Sequence, residues 1–265
     1  MPDKSLHIAC LQMDLHWQNP ALNRANADQW LASLAAPTDL ILLPEMFSTG
    51  FTMNAAEVAE EMQGESVSWM QKVAQEHDCL VGGSLVIREH EHFYNRFVWM
   101  NAEGILGQYD KRHLFAMAGE DKPYESGSRQ EVVYWRGWNI ATQICYDLRF
   151  PVWARNRFEP DGQASYDLLV NVANWPMTRI HHWDTLLQAR AIENLAFVAG
   201  VNRVGKDANG YDYTGSSRII GFDGKILSSA VGQEALLVAE LDPEALAAYR
   251  ARFPFWKEAD TFVWS

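Results

Sequence analysis

At 265 residues, 48% of them hydrophobic and 21% charged, the chain carries enough apolar content for a sizeable core and fits one large domain or two small ones; disorder is excluded. A formal charge of −12 repels polyanions, so nucleic acid is not an expected partner, and an anionic small substrate would need a local group of Arg or Lys. Cys10, Cys79 and Cys145 are odd in number and widely spaced, no apolar run reaches membrane-span length, and "MPDKSLHIACLQMDLHWQNP" has no signal-peptide core, so a cytoplasmic protein with reduced thiols, no disulfide framework and no membrane contact is expected.

In chain order, "LHIACLQMD" (6–14) reads as a strand, and 21–36 places Leu22, Ala25, Trp30, Leu31 and Leu34 at helical spacing. "DLILLPE" (39–45) is a continuous apolar run, the mark of a strand covered on both faces. A helix is predicted over 65–78, then strands over 79–87 and 95–101 and a turn at Glu103-Gly104. The second half repeats the order. Strand 138–147 leads to "PVWARNRFE" (151–159), where Pro151 suits a first helical turn. A buried strand (167–175), an amphipathic helix (180–195) and strands over 196–205, 216–224 and 234–242 follow, and Asp242-Pro243 opens a last helix. Similar element order in the two halves predicts two sheets with helices outside, one α/β sandwich, without any residue-level repeat.

Three residues are candidates for chemistry, and two of them, Glu45 and Cys145, stand where strands end. Glu45 closes a buried apolar run, the place where α/β proteins put chemistry; it is either a partly desolvated general base or a surface carboxylate in a turn. Cys145 is either a small core residue or a nucleophile exposed at a strand-to-helix elbow, which would also present backbone N–H groups. Lys111, between Tyr109 and Leu114-Phe115, is either solvated or a cation that stabilises a thiolate and an oxyanion.

Taken together, "LPEMFSTGF", "YDKRHLF" and "ICYDLRFP" resemble the nitrilase superfamily of carbon–nitrogen hydrolases, whose members carry a Glu–Lys–Cys triad in this chain order. "NVANWP" (171–176), "QARAIENLAFVAGVNRVG" (188–205) and "GSSRIIGFDG" (215–224) extend the resemblance over nearly the whole chain, 1–265 as a single domain. The resemblance implies an α-β-β-α sandwich of two mixed sheets with helices on the outer faces. It implies a four-layer homodimer built through 151–159 and 180–194, and neither metal nor cofactor. Glu45 maps onto the base, Lys111 onto the lysine and Cys145 onto the nucleophile. Glu120 is the best match to a second glutamate, with Glu125 as its rival. The implied reaction is amide hydrolysis through a thioester, with Lys111 and the Tyr146 N–H on the oxyanion.

Within the superfamily the motifs look most like the omega-amidase branch, which deamidates the omega-carboxamides of 2-oxo acids such as 2-oxoglutaramate and 2-oxosuccinamate. That implies a cation for the substrate carboxylate, either Arg149 or Arg179, each of which is otherwise a structural ion pair. Trp175 and Phe47 are the implied pocket walls. Nitrile and N-carbamoyl hydrolysis are the alternatives inside the superfamily. A Cys–His protease using His113, His181 or His182, and a non-catalytic scaffold, lie outside it. The aromatic tail "FPFWKEADTFVWS" (253–265) is expected to pack on the body or on a dimer partner.

Overall fold

Strand residues alternate between two apolar cores, and this alternation assembles the molecule. The computed structural model describes Pro2 and residues 4–260. β1 (Leu6–Gln12) sends Leu6, Ile8 and Cys10 into one core and Ala9 and Leu11 into another. After it come α1 (Pro20–Leu31), β2 (Leu40–Leu42), α2 (Ala55–Val58), α3 (Glu65–His77), β3 (Leu80–Glu89), β4 (His92–Asn101) and β5 (Gly104–Asp110). The second half holds β6 (Val132–Trp135), β7 (Trp138–Ile144), β8 (Leu168–Ala173), α4 (Ile180–Asn194), β9 (Phe197–Asn202), β10 (Val204–Lys206), β11 (Asp212–Ile220), β12 (Ile226–Val231), β13 (Ala235–Leu241) and α5 (Pro243–Arg252).

Both sheets are mixed. The first runs β13-β1-β2-β3-β4-β5 and is parallel only in β1-β2-β3. The second runs β10-β11-β9-β8-β7-β6, with β12 also on β11, and is parallel only in β7-β8-β9. Their inner faces meet in a core that includes Ile8, Leu42, Phe97 and Trp99 from one sheet and Ile140, Val170, Phe197 and Val201 from the other. Trp99 reaches across, and its indole N–H donates to Thr142 Oγ1 at 2.7 Å, giving the buried ring the polar partner it needs. A Cβ on Gly82 would lie 2.5 Å from that ring, so glycine is the residue that fits beneath it. The outer face of the first sheet is covered by α1 and α3 through Leu31, Met70 and Val73. Trp183, Leu187 and Ala191 of α4 cover the second. The expected α-β-β-α sandwich is the fold found.

Local signals placed several termini. Asn19 accepts from Leu22 N with Pro20 in the first turn of α1, and Asp242 accepts from Glu244 N and Ala245 N ahead of Pro243. The predicted helix over 151–159 is not there. Instead Cys145–Arg149 form a 3-10 turn, with isolated turns up to Ala154. Tertiary bonds override the proline signal. Asn156 is buried and bonds Tyr166 O and the Asn194 side chain and carbonyl, and Phe158 pairs in extended form with Ala164. β6 and β12 were not expected, and α1 stops five residues short of the predicted end. Of the aromatic tail, Trp256 stacks on Phe158 of the body, ring centroids 5.1 Å apart; residues 261–265 lie outside the described residues.

Candidate active site

Parallel strands deliver the reactive side chains to one end of the sandwich. Glu45 follows β2, Cys145 follows β7 and Asn174 follows β8, all at carboxyl ends. Lys111 follows β5, and its backbone N–H donates to Asn95 O on β4 at 3.0 Å. Glu120 arrives from the loop after a 3-10 turn at Ala116–Ala118.

The lysine sits at the centre of this cluster. Its Nζ lies 2.8 Å from Glu45 Oε1 and 2.9 Å from both oxygens of Glu120. All three side chains are fully buried. Asn95 Nδ2 bridges the carboxylates, 2.8 Å from Glu45 Oε1 and 3.2 Å from Glu120 Oε1. Phe115 N donates to Glu120 Oε2, and Asn174 donates to Glu45 from its backbone N and from its side chain. The Glu45 carboxylate is therefore oriented by Lys111, Asn95 and the Asn174 N–H, and the Glu120 carboxylate by Lys111, Asn95 and the Phe115 N–H.

Burial opposes charge on Lys111, but Glu120 and Glu45 outweigh it and hold the ammonium above its ordinary value. Burial, with Glu45 alongside, lifts Glu120 above the usual glutamate range against the pull of Lys111. The Cys145 thiol is raised well above its ordinary value, first by burial and then by the Glu45 charge, with Lys111 opposing. A free thiolate beside two carboxylates and one ammonium is disfavoured. A neutral thiol in contact with a carboxylate favours proton removal in step with attack. Cys145 itself has φ +46°, a left-handed conformation that is costly for a residue with a Cβ, and it turns the side chain out of the β7 ladder.

Cys145 and Lys111 open onto a cavity of about 500 Å³ that is also lined by Tyr146, Arg149, Trp175 and Arg179. Arg149 lies over the Trp175 ring at 4.8 Å, and its Nη2 is 3.0 Å from His182 Nδ1. Arg179 lies over Phe115 at 5.4 Å. Among the described residues neither guanidinium has a carboxylate partner, so the structural ion pair considered for each is not what holds it.

Phe47 corrects one expectation. It is fully buried in the core under α3, 5.6 Å from the Trp69 ring, and does not line the cavity; Phe51, four residues on, does, with Lys111 Nζ 5.3 Å from its ring centre. The turn after β2 directs Phe47 inward, toward Ser84 O, to which its N–H donates. Glu125 is exposed and paired with His92, away from the cluster that holds Glu120. None of His113, His181 and His182 lines the cavity. Asn95 and Asn174 were not singled out from the sequence. The signals were present: an asparagine in the apolar stretch of β4, and the polar end of "NVANWP". Asp207, Tyr211 and Tyr213 of the β10–β11 region also line the cavity and left no local signal. Among the described residues no group of three or more His, Cys, Asp or Glu side chains is placed to hold a metal ion.

The profile of the carbon–nitrogen hydrolase family matches residues 7–251. The chain is 48% identical over 260 residues to an omega-amidase YafV of Yersinia enterocolitica, covering 98% of each protein. It is 33% identical over 254 residues to a 2-oxoglutaramate amidase of Bacillus subtilis, covering 95% of this chain and 96% of that one. A crystal structure of a CN-hydrolase superfamily protein from Xanthomonas campestris, with an arsenic adduct in its active site, superimposes with a TM-score of 0.96 at 43% identity, covering 99% of this chain and all of that one.

Proposed function

The chain belongs to the carbon–nitrogen hydrolase family, and from that premise we propose that it hydrolyses the omega-carboxamide of small 2-oxo acids, 2-oxoglutaramate and 2-oxosuccinamate, to the dicarboxylate and ammonia. The observation that carries this reading is the cavity itself. A thiol in contact with a buried Glu–Lys–Glu cluster opens onto a space that also holds two guanidiniums without carboxylate partners. The first set suits acyl transfer, and the second suits the far carboxylate of a half-amide.

In this reading Glu45 takes the thiol proton as Cys145 Sγ attacks the amide carbon. Lys111 and the Tyr146 N–H stabilise the oxyanion. Collapse of the tetrahedral intermediate breaks the C–N bond, and protonated Glu45 passes its proton to the departing ammonia. Glu45 then removes a proton from water, which attacks the thioester; the carboxylate leaves and the thiol is restored. Glu120 and Asn95 hold Lys111 and Glu45 in register and take no part in bond making. Arg149 or Arg179 binds the substrate carboxylate, and Trp175 walls the pocket.

The test is ammonia release from 2-oxoglutaramate and 2-oxosuccinamate beside N-carbamoyl amino acids and simple nitriles, with Cys145→Ala as control. The 2-oxo acid amides are expected to lead in kcat/KM by at least about tenfold, a difference of about 1.4 kcal/mol in transition-state binding. A lead for either other class, or activity within tenfold of wild type for Cys145→Ala, refutes the reading.

Two broader readings accompany it. We place the enzyme in the cytoplasm as a homodimer paired through α4 and the 151–159 turns, where Ile192 and Val152 are about half exposed. Mass measurement by light scattering tests the dimer. Among the described residues no helix is long and apolar enough to cross a membrane.

A further inference from the structure

One buried carboxylate outside the Glu–Lys–Cys cluster ties the loop that carries Cys145 to the loop that carries Lys111. Asp147 is fully buried and accepts four hydrogen bonds. Its Oδ2 takes the backbone N–H of Ile144, the residue before the nucleophile, at 3.0 Å and the Tyr109 hydroxyl at 2.7 Å. Its Oδ1 takes the backbone N–H of His113, two residues after Lys111, at 2.9 Å and His113 Nδ1 at 2.7 Å.

These partners are fixed in turn. The His113 ring stacks on Phe150 with centroids 3.7 Å apart and planes 9° apart. The Tyr109 oxygen accepts from Trp153 Nε1 at 3.0 Å and from Arg112 N at 3.2 Å. Burial, and then Asp147, keep the Tyr109 phenol well above its ordinary value, so its hydroxyl remains a donor. Among the described residues, apart from the His113–Asp147 pair itself, no ion pair and no strand pairing joins these two loops at this point. β5 and β7 lie in different sheets, and a carboxylate with both oxygens used is what crosses between them.

We infer that Asp147 is a positioning residue that sets the placement of the Cys145 thiol against the Lys111 ammonium, with Tyr109 and His113 as its two anchors. The inference rests on the reading of Cys145 and Lys111 as nucleophile and cation. Four donors require an acceptor-only group. An asparagine offers one oxygen, so its amide would face backbone or ring donors on one side and loosen one loop from the other. Asp147 touches neither substrate nor the reacting atoms, and its effect runs through geometry alone.

The experiment is a double-mutant cycle read by alkylation of Cys145 with iodoacetamide, which needs no amide substrate. In the native background Asp147→Asn is expected to slow alkylation at least about tenfold. In the Lys111→Ala background the same change is expected to slow it less than about threefold, because the cation it places is gone. Turnover of the single variant is expected to lose kcat with KM within about threefold. An unchanged alkylation rate, or equal factors in both backgrounds, overturns the inference, since a general loosening of the fold would multiply. If Asp147→Asn does not fold, Tyr109→Phe removes one donor from Oδ2 and runs the same cycle. A loss of about threefold or more that vanishes without Lys111 supports the inference, and equal losses overturn it. Wild-type turnover by Cys145→Ala would instead defeat the catalytic reading, a result the alkylation cycle cannot mimic.

Discussion

Replacing Lys111 with methionine should destabilise the protein, and should do so more at high pH than at low. The lysine donates to Glu45 at 2.8 Å and to Glu120 at 2.9 Å, and all three side chains are shielded from water. Removing one partner from a buried ion pair leaves an uncompensated charge and costs about 3–5 kcal/mol. At this chain length that is roughly a 10 °C drop in Tm. The pH term has a definite sign. Burial, then Glu45, raise Glu120 above the ordinary glutamate value while Lys111 pulls it down. Without Lys111 the folded value rises further. The native state of the variant therefore holds a proton that the unfolded chain, with glutamates near about 4.3, has released. The stability carried by that proton is complete below the unfolded value and is lost as pH rises through the folded one. Calorimetry of Lys111→Met should show a larger deficit at pH 8 than at pH 5, and adding Glu120→Gln should recover part of it. A Tm within about 2 °C of wild type at pH 8, or equal deficits at both pH values, would refute the reasoning.

The remaining expectations concern the cavity. Arg149→Met and Arg179→Met each test the carboxylate subsite: whichever arginine binds substrate should cost about 1.5–3 kcal/mol, a KM rise of roughly 10- to 150-fold with kcat little changed, and no effect from either would remove the subsite. Phe47→Ala should lower stability by about 3–5 kcal/mol with KM unchanged, whereas Phe51→Ala should move KM with little loss of stability; the reverse pattern would contradict the placement of these two rings. Thiol labelling should reach Cys145, which lines the cavity with Glu45 and Lys111 beside it, well before Cys10 and Cys79, which are buried in the two cores. Glu45→Gln should slow labelling of Cys145 alone, and an equal rate at all three thiols would count against an activated nucleophile.

Much of this protein is legible in its sequence. The two-residue alternation of strands such as β1 and the helical spacing of α3 are local properties of the chain, so they predicted a two-sheet α/β sandwich correctly. Short motifs pointed to Glu45 and Cys145 at strand ends and to Lys111 among aromatic and apolar neighbours, and the resemblance of the three motifs to one family joined them. The misses share a cause. Residues 151–159 have a helix-opening proline, but Asn156 and Phe158 find bonds only in elements distant in sequence, and those bonds win over local preference.

Which side of a turn a ring faces is likewise not written in its neighbours: Phe47 and Phe51 are four residues apart, yet one fills the core under α3 and the other lines the cavity. Sequence alone determined most of the elements, the layers and the candidate reactive groups, because periodicity and residue chemistry are properties of short segments. Only the tertiary structure decided that Glu120 rather than Glu125 joins Lys111, that Asn95 and Asn174 orient the carboxylates, and that Asp147 joins the two reactive loops. Hydrogen bonds act within about 3 Å, and which groups come that close is set by how distant strands pack.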